Sequence, residues 1–249
     1  MATTSSSSSD SSIITELQGD LFSDAPEGAV LIHACNCQGS WGSGIAEVFK
    51  QRYPAAYLIY HAHCRSHLST PQTRPANPTT TTTASKIQQP QPQPQPRTLK
   101  LPEGTALLIP PQPADYHRQP VTVPAPPRGR GRGTTTTTTT TVLRGAGKKH
   151  WIVCLFTSFN YGRQRSAAGV ILENTRLAVG DLKGQIERMK MEGDGGEGEE
   201  EMGMGMGMGM GELWGCRFNA GLFGVPWEAT RGVLEEVGVG MRIVRPVGE

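Results

Sequence analysis

The sequence predicts an α/β fold built on a mixed, largely parallel sheet. Short β-branched and apolar runs alternate along the chain with segments of helical period. Glycine-rich turns stand at the ends of several of those runs and lead into helices. Four stretches, residues 1–12, 61–98, 113–149 and 191–211, are compositionally biased and make up 108 of the 249 residues; the other 141 are about 48% apolar, against 36% for the whole chain. That suits one globular domain of ordinary size, residues 13–249, interrupted by low-complexity inserts.

The first expected strand is Ile13–Gly19, short and partly alternating. Residues 29–35, Ala-Val-Leu-Ile-His-Ala-Cys, form a nearly continuous apolar run too short for a helix and read as a buried strand. The polar, glycine-rich loop from Asn36 to Gly44 follows. Ile45, Val48, Phe49 and Arg52 then recur at helical spacing, and Pro54 opens a second helical segment through Leu58. Gly104–Pro110 reads as a strand lying between two inserts. His150–Thr157 is the most apolar strand candidate and is expected to be central in the sheet. Apolar positions from Ala167 to Met189 trace one face of a helix of about six turns. Leu213–Asn219 reads as a strand, Pro226–Val237 as a helix with proline in its first turn, and Met241–Val247 as a last strand.

The biased stretches are rich in Ser/Thr, Thr/Pro/Gln, Arg-Gly/Thr and Gly/Glu/Met, compositions too polar to offset chain entropy of roughly 1–2 kcal/mol per residue. They are expected to be disordered surface loops, which a domain tolerates because closure costs only about 0.6 kcal/mol per doubling of length. They carry 11 of the 24 basic and 8 of the 22 acidic residues, so the remainder has a net charge of −1 and the formal +2 belongs to the inserts. Such a core offers no electrostatic footprint for nucleic acid. The Arg128–Arg132 arginine-glycine tract would suit RNA, but three arginines without a basic stripe make that the weaker reading. Five cysteines without C-x-x-C spacing suggest a reducing compartment and no structural zinc. The N-terminal stretch lacks a secretory pattern, and no apolar run approaches the ~18 residues of a membrane span. A soluble monomer is expected, cytoplasmic or both cytoplasmic and nuclear.

Three segments fall at the C-terminal ends of expected strands, where open α/β sheets bind ligands. They are Gly19-Asp20-Leu21-Phe22, then His33-Ala-Cys-Asn36 running into Gly39-Ser-Trp-Gly-Ser-Gly44, and Asn219-Ala-Gly-Leu-Phe-Gly-Val-Pro226. Glycine turns entering helices allow close backbone approach and present N–H donors to a diphosphate. Neither turn is a dinucleotide fingerprint or a P-loop.

Together these segments resemble the macrodomain, an ADP-ribose-binding module. His33-Ala-Cys-Asn-Cys-Gln-Gly-Ser-Trp-Gly42, Leu155-Phe-Thr-Ser158 and Gly221-Leu-Phe-Gly-Val-Pro-Trp227 resemble more narrowly the fungal ADP-ribose 1″-phosphate phosphatases. The resemblance implies a three-layer α/β/α fold and a set of site residues. Gly19, Asp20 and Leu21 would meet adenine, with the Asp20 carboxylate accepting from its amino group. Ala34, Cys35, Asn36 and Trp41 would line the strand end, Asn36 holding distal-ribose hydroxyls. Gly42, Ser43, Gly44 and Ile45 would wrap the distal ribose and phosphate. Asn219, Ala220, Gly221, Leu222, Phe223 and Gly224 would close over the diphosphate, with Phe223 on the distal ribose. Ser43 departs from the common pattern, in which a third glycine is usual, and His33 stands where many members carry Asn.

Each assignment has a structural alternative. Asp20 is also a plausible helix cap, His33 a satisfied buried histidine, and Asn36 the anchor of its own turn. Trp41 and Trp227 suit packing, Cys35 and Cys37 suit inert core positions, and Arg163 and Arg165 suit a solvated loop, although either would reach a phosphate. The reaction implied is hydrolysis of ADP-ribose 1″-phosphate to ADP-ribose and phosphate. His33 would act as acid or base, Asn36 would orient the ribose, and the Gly42–Gly44 amides would stabilise charge, with no cofactor or metal expected. A non-catalytic ADP-ribose reader is the alternative. Removal of ADP-ribose from protein glutamate is disfavoured, because that branch's lysine and aspartate positions hold Ser158 and Phe223.

Overall fold

The computed structural model describes residues 13–76, 97–116, 119–124, 139–144, 148–193, 209–246 and 248. The expected disorder of residues 1–12 and of most of the insert sequence lies outside the described residues.

Among the described residues, ten strands and six α-helices follow in chain order: β1 (Ile14–Gln18), α1 (Leu21–Asp24), β2 (Val30–Asn36), α2 (Gly44–Arg52), α3 (Pro54–Ser69), β3 (Thr73–Pro75), β4 (Thr98–Lys100), β5 (Ala106–Ile109), α4 (Pro113–Tyr116), β6 (Gln119–Pro124), β7 (Thr139–Arg144), β8 (Trp151–Ser158), α5 (Ala168–Gly193), β9 (Leu213–Cys216), α6 (Trp227–Val237) and β10 (Met241–Arg245). The main sheet has the order β1-β10-β9-β2-β8-β5. Its pairs are parallel except for β5, which runs antiparallel to β8 along one edge. The sheet is therefore mixed and largely parallel, as expected. β8 is an interior strand beside the edge strand β5, while β9 and β2 occupy the middle; the strand at 104–110 displaces β8 from the centre.

The period-two alternation of β2 and β8 builds the layers. Leu31 and Cys35, with Ile152, Cys154 and Phe156, pack on one face against Phe22 of α1, Phe49 of α2 and Tyr60 and Cys64 of α3. Val30 and Ile32, with Val153 and Leu155, pack on the other against Ala178, Val179 and Leu182 of α5 and Trp227 and Leu234 of α6. Both faces are covered, which is why these strands read as continuous apolar runs.

The insert boundaries need correction. The helix opened by Pro54 runs to Ser69 rather than ending at Leu58, because Ala56, Tyr60 and Cys64 continue its buried face. Residues 61–69 are therefore core structure. Thr73–Pro75 pairs antiparallel with Thr98–Lys100, which brings the two sides of the Thr/Gln-Pro stretch together. Residues 113–116 form α4, whose buried Asp115 accepts from the amides of Ala55 and Ala56 at 2.7 and 3.0 Å, capping α3. That satisfies two of the free donors at a helix start. β6 and β7 form a separate antiparallel pair within the stretch expected to be disordered, in keeping with the strand preference of Thr and Val. Lys148 donates to the carbonyls of Ser23 and Ala25, and α5 extends to Gly193, taking in the first three residues of the Gly/Glu/Met segment 191–211.

Candidate functional site

Four loops leave the C-terminal ends of parallel strands on the same edge of the sheet: β1–α1, β2–α2, β8–α5 and β9–α6. Sequence reasoning named three of them and treated the β8–α5 loop as solvent-facing.

Asn36 ends β2 and anchors the loop that follows. Its Oδ1 accepts from the amides of Gln38 at 2.9 Å and Ser40 at 3.3 Å, and from the Tyr60 hydroxyl at 3.2 Å, while its Nδ2 donates to the Ser40 carbonyl at 2.7 Å. A side chain with its oxygen so fully used fixes a turn, and one Nδ2 hydrogen remains to donate elsewhere. Gly39, at φ +74, is pressed against α3: a Cβ there would lie 2.9 Å from the His61 Nδ1. The turn delivers Gly42, Ser43 and Gly44 exposed at the start of α2. Ser43 is the N-cap residue, yet its hydroxyl makes no capping bond, so the first amides of α2 are open to a ligand.

The β9–α6 loop is held from below by Asn219. This residue is 3% exposed and adopts φ +66. Its Oδ1 accepts from the Thr157 hydroxyl of β8 at 3.0 Å, and its Nδ2 donates to the Thr175 hydroxyl of α5 at 2.9 Å and lies 3.4 Å from that of Thr230 in α6. The chain turns before it reaches Asn219: the Phe218 amide donates to the Cys216 carbonyl at 2.7 Å and the Ala220 amide to that of Arg217 at 3.3 Å, so β9 stops at Cys216 instead of running to Asn219. Gly221, Leu222 and Gly224 are then exposed, with Phe223 half-buried. The two glycine loops meet: a Cβ on Gly44 would lie 3.5 Å from Leu222 Cδ1.

Asp20 is exposed and caps α1, accepting from the Ser23 amide at 2.8 Å. Desolvation alone would raise its pKa; hydrogen bonds from Ser23 and the nearby Arg52 charge outweigh that and hold the carboxyl below its ordinary value. Beside it, Glu16 of β1 accepts from Trp227 Nε1 at 2.9 Å and from Arg217 Nη2 at 2.7 Å, tying the start of α6 and the end of β9 to β1.

Several predicted site side chains point away from the loops. His33 is 0% exposed, stacked on Phe49 with ring centroids 4.1 Å apart and edge-on to Trp41 at 4.8 Å. It shares the face of Leu31 and Cys35 under α2, so a role as acid or base is dropped; proton exchange with a substrate needs access that this ring lacks. Trp41 is buried and stacked on Tyr60, a packing residue, and Asn219 is a buried cross-link. Leu21 and Cys35 are also buried, and Ala34 and Ile45 half-buried against the core, so contacts from these positions fall to the backbone. His33, Cys35 and Cys154 place their donor atoms within 4.8 Å of one another. Burial drives the Cys35 thiol well above its ordinary pKa and keeps it neutral, as expected of a core residue.

A cavity of about 440 Å³ opens elsewhere, at the starts of β1, β9 and β10 beside the end of α5. None of the predicted site residues lines it, and its charged Glu212 and Arg242 are paired with each other at 2.7 Å. Among the described residues no helix is long and apolar enough to cross a membrane.

No family model matches the chain. A search of curated proteins finds the ADP-ribose 1″-phosphate phosphatase of Ajellomyces capsulatus 58% identical over 264 residues, covering 95% of this chain and 98% of that one. The protein of the same name from Aspergillus oryzae is 44% identical over 236 residues, covering 95% and 94%, and that from Debaryomyces hansenii is 32% identical over 228, covering 90% and 93%. Among solved structures, the macrodomain of Mycobacterium tuberculosis DarG aligns with a TM-score of 0.48 at 15% identity, covering 94% of this chain and 97% of that one. Likeness this extensive to curated relatives, over nearly the full length of both chains, means that the chain belongs to the family of fungal ADP-ribose 1″-phosphate phosphatases.

Proposed function

We propose that this protein hydrolyses ADP-ribose 1″-phosphate to ADP-ribose and inorganic phosphate. The observation that carries the reading is the 58% identity, across nearly the full length of both chains, to a relative bearing that name. The geometry supports it. Two exposed glycine loops that approach each other at Gly44 and Leu222 let the backbone come close to a diphosphate from both sides. Asp20 remains ionised at neutral pH, as an acceptor for an adenine amino group must.

The chemical work assigned to this site is positioning and charge stabilisation. The open amides at Gly42–Gly44 and the uncommitted Ser43 hydroxyl meet the terminal phosphate, where one well-placed donor can be worth about 3 kcal/mol. The remaining Nδ2 hydrogen of Asn36 orients the distal ribose. With His33 buried, proton transfer falls to another group or to water. Hydrolysis in oxygen-18 water distinguishes attack at phosphorus, which labels phosphate, from attack at carbon, which labels ADP-ribose.

The deciding experiment incubates the full chain with ADP-ribose 1″-phosphate and follows phosphate release, with ADP-ribose affinity measured by calorimetry on the same preparation. Turnover with binding supports the phosphatase. Binding without turnover leaves the non-catalytic reader, which the same loops would serve.

A further inference from the structure

The β8–α5 loop carries a guanidinium for which the reading above has no use. Arg165 Nε donates to the Phe223 carbonyl at 3.0 Å, and its Nη1 donates to the Gly162 carbonyl at 3.3 Å. The group therefore clasps the β9–α6 loop from the neighbouring loop. Its Nη2 lies over Gly224, where a Cβ would come within 3.3 Å of it. Gly224, at φ +66, serves both the turn and this close approach.

The partners of Arg165 are backbone carbonyls, as for Arg74, whose Nη2 donates to the Gly104 carbonyl at 3.1 Å. Arg97, Arg176, Arg217, Arg231 and Arg242 each pair with a carboxylate. Among the described residues Arg165 has no such pairing; it is oriented by two neutral carbonyls. Carbonyl bonds fix the plane of a guanidinium without cancelling its charge, and they leave donors over for an anion. Arg165 is also exposed, so an incoming ligand can reach it.

Its location names the anion. Phe223, whose carbonyl Arg165 grips, is the residue expected on the distal ribose, and the terminal phosphate hangs from that ribose. We propose that Arg165 reads the terminal phosphate and makes the site prefer ADP-ribose 1″-phosphate over ADP-ribose. This inference rests on the phosphatase reading for its substrate. Its charge-assisted bond exists only when the phosphate is present, whereas the clasp on Phe223 serves both ligands alike.

The test compares wild type with Arg165→Gln, Arg165→Lys and, as a control on the same loop, Arg163→Gln. The KM for ADP-ribose 1″-phosphate and the inhibition constant of ADP-ribose are measured for each at two ionic strengths. Arg165→Gln should raise that KM roughly tenfold to a hundredfold, the range for a hydrogen bond to a charged group. The ADP-ribose constant should move far less, Arg165→Lys should recover part of the preference, and Arg163→Gln should match wild type. A parallel loss for both ligands would reduce Arg165 to a loop clasp and overturn the proposal, as would an unchanged ratio. If wild type releases no phosphate, the phosphatase reading fails on its own. Calorimetry with the two ligands then decides the inference separately: a binding preference for the phosphorylated ligand that Arg165→Gln abolishes upholds it, and equal affinities in wild type refute it.

Discussion

Replacing Asn219 tests whether the diphosphate loop is held by the buried bonds beneath it. Asn219→Ala removes the acceptor of Thr157 and the donor to Thr175, both at 3.0 Å or less, and puts a β-carbon residue with no side-chain compensation at φ +66. The two bonds are worth about 1 kcal/mol each, and the left-handed backbone costs a further ~1 kcal/mol, for a total of about 3 kcal/mol. Thr175 keeps a partner, because its hydroxyl donates to the Ile171 carbonyl at 2.7 Å, whereas the buried Thr157 hydroxyl is left with none among the described residues. For a domain of this size the loss corresponds to a melting temperature lower by about 6–12 °C. Asn219→Gly loses the same bonds but takes the backbone conformation freely, so it should fall between wild type and Asn219→Ala. Differential scanning calorimetry of the three proteins gives the order, and KM for the phosphorylated substrate should rise in both variants as the 219–226 loop loosens. An Asn219→Ala protein melting within about 2 °C of wild type, well under the change expected for 3 kcal/mol, would refute the idea that these bonds hold the loop. A glycine variant less stable than the alanine variant would refute the backbone part of the account.

Other consequences are as direct. His33→Ala empties a site between Phe49 and Trp41 and should cost about 3 kcal/mol of stability, yet the folded fraction should turn over at a rate within about twofold of wild type; a stable variant without activity would restore the acid–base role. Glu16 has its pKa lowered: desolvation would raise it, but bonds from Trp227 and Arg217 and the charges of Arg217 and Arg231 prevail. The unfolded chain therefore binds the extra proton first, so this stabilisation is complete above the ordinary value of 4.5 and is lost as pH falls through the lower folded value. The stability gap between wild type and Glu16→Gln, measured by urea titration, should narrow on acidification over that window; a gap independent of pH would contradict the assignment. Residues 77–96 should be dispensable, because the Ala76 amide donates to the Arg97 carbonyl at 2.7 Å and a short glycine-containing turn can close the gap. Ligand affinity should survive that excision. Removing 61–149 as one block takes away half of α3 together with β5 and should leave no folded domain, as circular dichroism would show.

The sheet was legible because strands buried on both faces must be mostly apolar, and β2 and β8 are, apart from His33, Asn36, Thr157 and Ser158. Helix α3 was cut short for a local reason. His61, His63, Arg65 and Ser66 resemble the polar stretch that follows them, while the residues that keep the helix going, Tyr60 and Cys64, are spaced four apart and find distant partners: both bond the Asn36 carbonyl of β2, and Tyr60 stacks with Phe156 of β8. The parity of β2 decides where His33 goes. His33 shares its face with Leu31 and Cys35, so an alternating strand under a helix buries the imidazole with them. A histidine at the end of an apolar run attracts a catalytic reading, but the face it occupies decides whether it meets solvent.

The loops divide along the same line. What a diphosphate requires of a turn is short-range: glycines at the right places and a helix start behind them, so Gly42–Gly44 and Gly221–Gly224 show in the sequence. What holds those turns in place is long-range. Asn36 meets Tyr60 across 24 residues, Asn219 meets Thr157 across 62, and Arg165 meets Phe223 across 58. No spacing rule connects such partners, since the sheet brings them together only after it has formed. Arg165 and Asn219 therefore differ in kind from the glycines they support. The glycines permit a phosphate to approach, whereas these side chains set where the loop stands when it does; of the two, Arg165 also brings a charge that no carboxylate among the described residues pairs, the means of telling the phosphorylated ligand from its product.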